Sequence, residues 1–137
     1  MSEKLLPRLF VLFTMASLLL TACAGSGAKI SVEPAQFDFG DVIVGEIVTR
    51  DLRVTNTGSG TLVIESISTS CGCTTAAVDQ TQIPAGESTL LHITFDAGAH
   101  GDVTAFYTRQ VFIATNDAEQ PEMRIEFTAN VIRGQGS

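Results

Sequence analysis

From residue 30 onward, apolar and polar residues take turns along the chain. In EMRIEFTANVI, residues 122 to 132, Met123, Ile125, Phe127, Ala129 and Val131 alternate with Arg124, Glu126, Thr128 and Asn130. A period of two turns one set of side chains to a core and the other to water, which is the mark of a half-buried strand. STLLHITFD (88 to 96) puts Leu91, Ile93 and Phe95 on one face and Leu90, His92 and Thr94 on the other. IVTRDLRVTN (47 to 56) groups Val48, Leu52 and Val54 opposite Thr49, Asp51, Arg53 and Thr55. TLVIESIS, CTTAAV and RQVFIAT supply further strands. KISVEP and AQFDFG read as one interrupted first edge, broken at Pro34, which cannot donate to a ladder. The alternation predicts Leu52, Val54, Ile64, Leu91, Ile93, Phe95, Ile113, Ile125 and Phe127 in the interior.

Turn residues separate these runs. NTGSG (56 to 60) and PAGES (84 to 88) place glycine where a positive φ is expected, DAGAHGD (96 to 102) is a longer loop, and TNDAEQPE (115 to 122) joins the last two strands. No stretch of ten or more residues carries a helical period. About seven short antiparallel strands at this spacing predict an all-β sandwich.

The first 22 residues have a different character. Lys4 and Arg8 precede LFVLFTMASLLLTA, 14 residues without a charge. A membrane-spanning helix needs about 20 apolar residues, so this run fits the apolar core of a secretory signal. It ends in LTAC, residues 20 to 23, which resembles the lipobox of bacterial lipoproteins. The resemblance implies cleavage before Cys23, lipidation of its thiol and acylation of the new amino group. Several acyl chains anchor stably where one is marginal. Ala24 follows, so the aspartate that retains such proteins at an inner membrane is missing. The expected location is the cell envelope: the outer membrane of a two-membrane cell, on its periplasmic side or at the surface, or the outer face of a single plasma membrane.

These readings divide the chain into a signal peptide (1 to 22), a lipidated tether (23 to 29), a β-sandwich (30 to 132) and a short tail (133 to 137). The full chain carries a formal charge of −7. Removing Glu3, Lys4 and Arg8 with the leader leaves 6 basic and 14 acidic side chains, net −8. Nucleic acid selects basic faces, and anionic lipid selects basic segments. Both are excluded as electrostatic partners, and the anchoring falls to the lipid on Cys23.

One long stretch, FDFGDVIVGEIVTRDLRVTNTGSGTLVIESISTSCGCTT, is similar to the bacterial domain of unknown function 1573. The resemblance rests on Phe-x-Phe-Gly at Phe37 to Gly40, Gly45-Glu46, the Asn-Thr-Gly turn at Asn56 to Gly58, and Ser-Cys-Gly-Cys-Thr at Ser70 to Thr74. IPAGES and TNDAEQPE match later parts, with Ala118 standing where the family usually has proline. The resemblance implies an immunoglobulin-like sandwich related to domains named after the ciliary protein Hydin. It implies no activity, because the family has no settled one.

Chemistry can concentrate only at Cys71 and Cys73. With Cys23 lipidated they are the one remaining pair, in a compartment that is often oxidising. Two cysteines at i and i+2 sit near the upper limit of Cα separation for a disulfide, and Gly72 is expected to ease the tight ring. Such a ring closes almost no loop and adds little chain-entropy stabilisation. Three uses stand open: a structural disulfide, a Cu(I) or Zn site, and dithiol redox chemistry. Two thiolates suit soft ions, but a closed zinc site wants four ligands, and the remaining donors, His92, His100 and Met123, are distant in sequence. A redox pair needs a helix start or a cation nearby; no helix follows Cys73, and the nearest cations in sequence are Arg53 on one side and Arg109 on the other. His92 reads as a surface histidine and His100 as a loop residue. Asp96, Asp102 and Asp117 match no calcium-loop spacing. Ser59 lies in Gly-Ser-Gly without a nucleophile elbow.

The reading that follows is a non-enzymatic, lipid-anchored immunoglobulin-like module without a cofactor. It binds the membrane through Cys23 and has an envelope protein as its expected partner; no small-molecule substrate is inferred. The alternative is a thiol-based envelope protein that uses Cys71 and Cys73 for metal or redox work.

Overall fold

The computed structural model describes residues 27–135. Nine strands form two sheets: β1 (Ile30–Glu33), β2 (Gln36–Ile43), β3 (Ile47–Asn56), β4 (Leu62–Thr69), β5 (Thr74–Val78), β6 (Gln82–Ile83), β7 (Ser88–Asp96), β8 (Ala105–Thr115) and β9 (Glu122–Ile132). One sheet has the order β1-β3-β7-β5 and the other β2-β9-β8-β4-β6. The leader, Cys23 and the tether up to residue 26 lie outside the described residues.

The alternation in the sequence becomes the core of this sandwich. All nine residues expected inside are buried, and Phe95, Phe127, Leu91, Ile93, Ile113 and Ile125 are essentially inaccessible. Phe127 stacks on Phe37 at 5.4 Å and meets Phe39 and Phe95 edge-on at 5.2 and 5.7 Å. Each such aromatic pair adds about 0.5–1.5 kcal/mol beyond area burial. The Phe-x-Phe-Gly motif thus sends two rings from β2 into the core.

Three features depart from the sequence expectation. KISVEP and AQFDFG are not one interrupted edge. The chain leaves the first sheet after Glu33, passes the cis Glu33–Pro34 bond and enters the second sheet as β2. There β2 pairs with β9 in parallel, from Gln36 beside Glu126 to Ile43 beside Ile132. The antiparallel expectation therefore fails at this one edge: β1 and β2 together run the length of the molecule in the direction β9 also takes. The extra strands include β6, whose Ile83 is fully buried; a lone apolar residue between Gln82 and Pro84 has no period to betray it.

The loops sort to two ends. Residues 27–29, the β3–β4 loop and the β8–β9 loop share the near end. The β2–β3 turn, the β4–β5 corner and the β7–β8 loop share the far end. At the near end the fully buried Asn56 side chain accepts N–H groups of Lys29 (3.2 Å) and Gly58 (3.0 Å) and donates to the carbonyls of Gly60 (2.7 Å) and Ile83 (2.8 Å). Asp117, also buried, accepts the N–H groups of Ile30, Glu119 and Gln120. Burial pushes its carboxyl up, but those three donors and the Lys29 charge outweigh it and leave the acid below the usual carboxylate range.

The glycines behave differently in the two turns. Gly86 in PAGES has the expected positive φ of 76°. Gly58 in NTGSG does not; it is small because the N-terminal segment crosses it. A Cβ there would collide with the Gly27 carbonyl oxygen and stand 2.7 Å from the Lys29 nitrogen.

Candidate functional site

Cys71 and Cys73 occupy the corner where the chain passes from the second sheet to the first. Just past the end of β4, Ser70 exchanges two bonds with Gln110 of β8: the Ser70 N–H to the Gln110 carbonyl, and the Gln110 N–H to Ser70 Oγ, each at 3.0 Å. The chain then turns through residues 71–73 and joins β7, the Asp96 N–H donating to the Cys73 carbonyl at 2.9 Å. The turn is closed by the Thr74 N–H to the Cys71 carbonyl at 3.4 Å. Thr69 Oγ1 lies 3.0 Å from the carbonyl oxygens of both Cys71 and Thr74 and gives its single proton to one at a time.

The two sulfurs are joined as a disulfide across a Cα separation of 5.3 Å. That lies within the ordinary range and not near its upper limit, because the chain curls here where an extended segment would hold i and i+2 farther apart. Gly72 is not what permits the ring. It has no positive φ, and a Cβ on it would meet open space.

The two cysteines differ in surroundings. Cys73 is 2 % exposed and belongs to the core, whereas Cys71 is partly exposed. Arg109 Nε donates to Cys73 Sγ at 3.3 Å. The same guanidinium lies 4.7 Å over the Tyr107 ring and donates from Nη1 to the Thr108 carbonyl at 2.8 Å. Tyr107 packs on Phe95 and stacks on His100 at 6.0 Å. Thr74 Oγ1 is 3.4 Å from Cys71 Sγ and 3.8 Å from Cys73 Sγ.

Of the cations nearest on either side in sequence, the fold selects Arg109. Arg53 lies on the outer face of the first sheet, its β3 position opposite Glu33. Arg109 and Tyr107 were legible in principle. β8 begins at Ala105, four residues before the run RQVFIAT, and extending the alternation back from Val111 turns both side chains inward.

The other candidate residues scatter. His92 stands on the outer face of the first sheet, its Nδ1 2.6 Å from Asp51 and its Nε2 2.9 Å from Asp79. Bonds to Asp51 and then Asp79 raise its pKa above the ordinary 6.5. Met123 lies at the near end, its Sδ accepting from Gln120 Nε2 at 2.9 Å. Asp96 caps the Gly98 N–H at the far end while Asp117 serves the near end, so the three aspartates do not converge. Ser59 sits in the near-end loop with its N–H on the Gly27 carbonyl. Among the described residues no three His, Cys, Asp or Glu side chains gather around a common point.

A disulfide-braced corner at the end of an immunoglobulin-like sandwich defines the class of protein. Residues 30–131 match the family described as "Protein of unknown function (DUF1573)", and the chain belongs to that family. No curated protein matches it. Among solved structures it is similar to a protein of unknown function from Porphyromonas gingivalis W83, with 26 % identity and a TM-score of 0.69, over 82 % of this chain and 51 % of that one. The chain thus spans about half of the Porphyromonas protein. It also resembles the ASH / PapD-like domain 7 of human CEP192 (11 % identity, TM-score 0.61, 86 % of this chain and 95 % of that one) and the YadV chaperone (12 % identity, TM-score 0.58, 79 % and 54 %). At these identities the last two likenesses concern the fold alone.

Proposed function

We propose that the chain is a non-catalytic interaction module of the cell envelope, anchored by lipid on Cys23 and belonging to the Hydin-related immunoglobulin-like group. The leader supports the anchoring: a cationic start, 14 uncharged residues and LTAC in sequence. The sandwich itself is no guide to activity, since the fold serves many functions.

The polarity of the domain carries the interaction reading. The N-terminal segment enters at the near end. The far end bears Ile47 at 66 % exposure, Phe106 at 65 %, Val103 at 48 % and Ile43 at 41 %. Ile43 and Ile47 flank the β2–β3 turn, and Val103 and Phe106 border the start of β8. Large apolar side chains gathered on one end of a domain favour burial against another protein. With the lipid at the near end, this end points away from the membrane, toward a protein partner in the envelope.

Photo-crosslinking tests this. A crosslinker at Phe106 should yield a discrete adduct in cells, lost when Ile47→Asp is added, while one at Ser59 should not give that adduct. Equal adducts from both ends, or none from Phe106, would overturn the reading. Cys23→Ser should release the domain from membranes and abolish the acyl mass; unchanged fractionation would remove the anchoring.

A further inference from the structure

We propose that the Cys71–Cys73 disulfide is built for thiol exchange in one direction: an external thiolate attacks Cys71 Sγ, and Cys73 departs as a thiolate held by Arg109. The corner shares the far end with the exposed apolar residues, but the proposal rests on its sulfur chemistry and is tested without a docked protein.

Access sets the first half. Cys71 is partly exposed, whereas Cys73 is sealed at 2 % exposure. An attacking thiolate must approach the sulfur it will bond, so Cys71 is the reachable one. The second half concerns the leaving group. Exchange is faster and more favourable when the departing sulfur is stabilised as an anion. Burial alone would make Cys73 the poorer leaving group, because a thiolate loses solvation inside a protein. Arg109 reverses this. Its Nε–H already points at Cys73 Sγ from 3.3 Å, and Tyr107 and the Thr108 carbonyl hold the guanidinium in place. Among the described residues it forms no ion pair with a carboxylate, so its charge is available to a new anion. Thr74 Oγ1 lies 3.8 Å from this sulfur and 3.4 Å from Cys71 Sγ, so its single proton can serve either and the direction rests on Arg109.

The step balances. A bond forms between the incoming sulfur and Cys71 Sγ as the Cys71–Cys73 bond breaks, and the electron pair leaves on Cys73 Sγ. A second thiolate then attacks the incoming sulfur, expelling Cys71. The protein is reduced to a dithiol and the external thiol is oxidised to its disulfide. The co-reactant is a small or protein thiol.

Glutathione serves as the probe, with the full-length protein in detergent. Acid quenching early in reduction, alkylation of free thiols and fragment mass mapping should place glutathione on Cys71 and the alkyl group on Cys73. Equilibration against glutathione buffers should show Arg109→Gln lowering the reduction equilibrium constant on the order of tenfold, the scale of one hydrogen bond to a charged group. Arg109→Lys should restore part of it. The Cys73 thiol in Cys71→Ser should ionise at lower pH than the Cys71 thiol does in Cys73→Ser. This ordering uses the native Arg109 and stands if Arg109→Gln fails to fold. Glutathione on Cys73, the opposite ionisation order, or a folded Arg109→Gln with unchanged equilibrium would each overturn the proposal.

Discussion

Asn56 is the residue on which the near end depends. Its side chain is fully buried and makes four bonds to backbone groups: two accepted from Lys29 and Gly58, two donated to Gly60 and Ile83. These tie together the N-terminal segment, the β3–β4 loop and β6. In Asn56→Ala all four are lost. The bond to the Ile83 carbonyl is buried, and an acceptor left there without a partner costs about 1–3 kcal/mol. The other three sit where water can partly replace the amide, so each contributes toward the lower end of about 0.5–1.5 kcal/mol. The expected loss is therefore about 3–5 kcal/mol, a large part of the roughly 5–15 kcal/mol of a typical domain. Asn130→Ala is the control: its side chain makes one exposed bond, to Asp41 at 2.7 Å, and should cost within about 1 kcal/mol. Urea unfolding followed by circular dichroism measures both, the midpoint falling at unchanged slope. Equal losses at Asn56 and Asn130 would refute the claim that this amide organises the near end. Asn56→Asp sharpens the test, since a carboxylate keeps the shape but cannot donate to Gly60 and Ile83.

Phe127→Ala should destabilise by about 3–5 kcal/mol in the same assay, while Arg124→Ala on the exposed face of the same strand should cost little; similar losses would contradict the face assignment. Gly58→Ala should lower the unfolding midpoint, because its Cβ meets backbone of the N-terminal segment, whereas Gly72→Ala should be neutral or slightly stabilising; a reversed ranking would show the close approach to be unimportant. His92 holds its proton more tightly in the fold than in the unfolded chain. Its pairing with Asp51 and Asp79 thus stabilises fully below about pH 6.5 and is lost as pH rises through the raised folded-state value. The destabilisation by His92→Gln should therefore be larger at pH 5.5 than at pH 8.5, and NMR titration of the ring should show the raised pKa falling in Asp51→Asn; identical losses at both pH values would exclude the linkage.

The sandwich, its core and the strand faces were legible in the sequence because a strand turns side chains to opposite faces with a period of two, and β7 and β9 keep that period without interruption while β3 breaks it only at Arg50. Where the period breaks, the local signal fails. In β4 the register shifts between Ile64 and Ser66, so Leu62 and Ile64 face inward before the shift and Ile67 after it. The alternation of TLVIESIS cannot reveal this, since a bulge is defined by the partner strand. β6 is likewise a strand only because Leu62 and Val63 lie beside it.

The site divides in the same way. The Cys-Gly-Cys spacing was enough to single out Cys71 and Cys73, with a disulfide, a metal site and dithiol chemistry all left open. Only the tertiary structure decided what surrounds them. Arg109 is 36 residues from Cys73 in the chain and reaches its sulfur because β8 pairs with β4 across Ser70 and Gln110, a long-range contact with no local trace. At the same corner Cys73 is buried and Cys71 is partly exposed. Local alternation records which face a side chain takes; which distant side chain it meets depends on strand order and register, and these emerge only when the two sheets close on their common core.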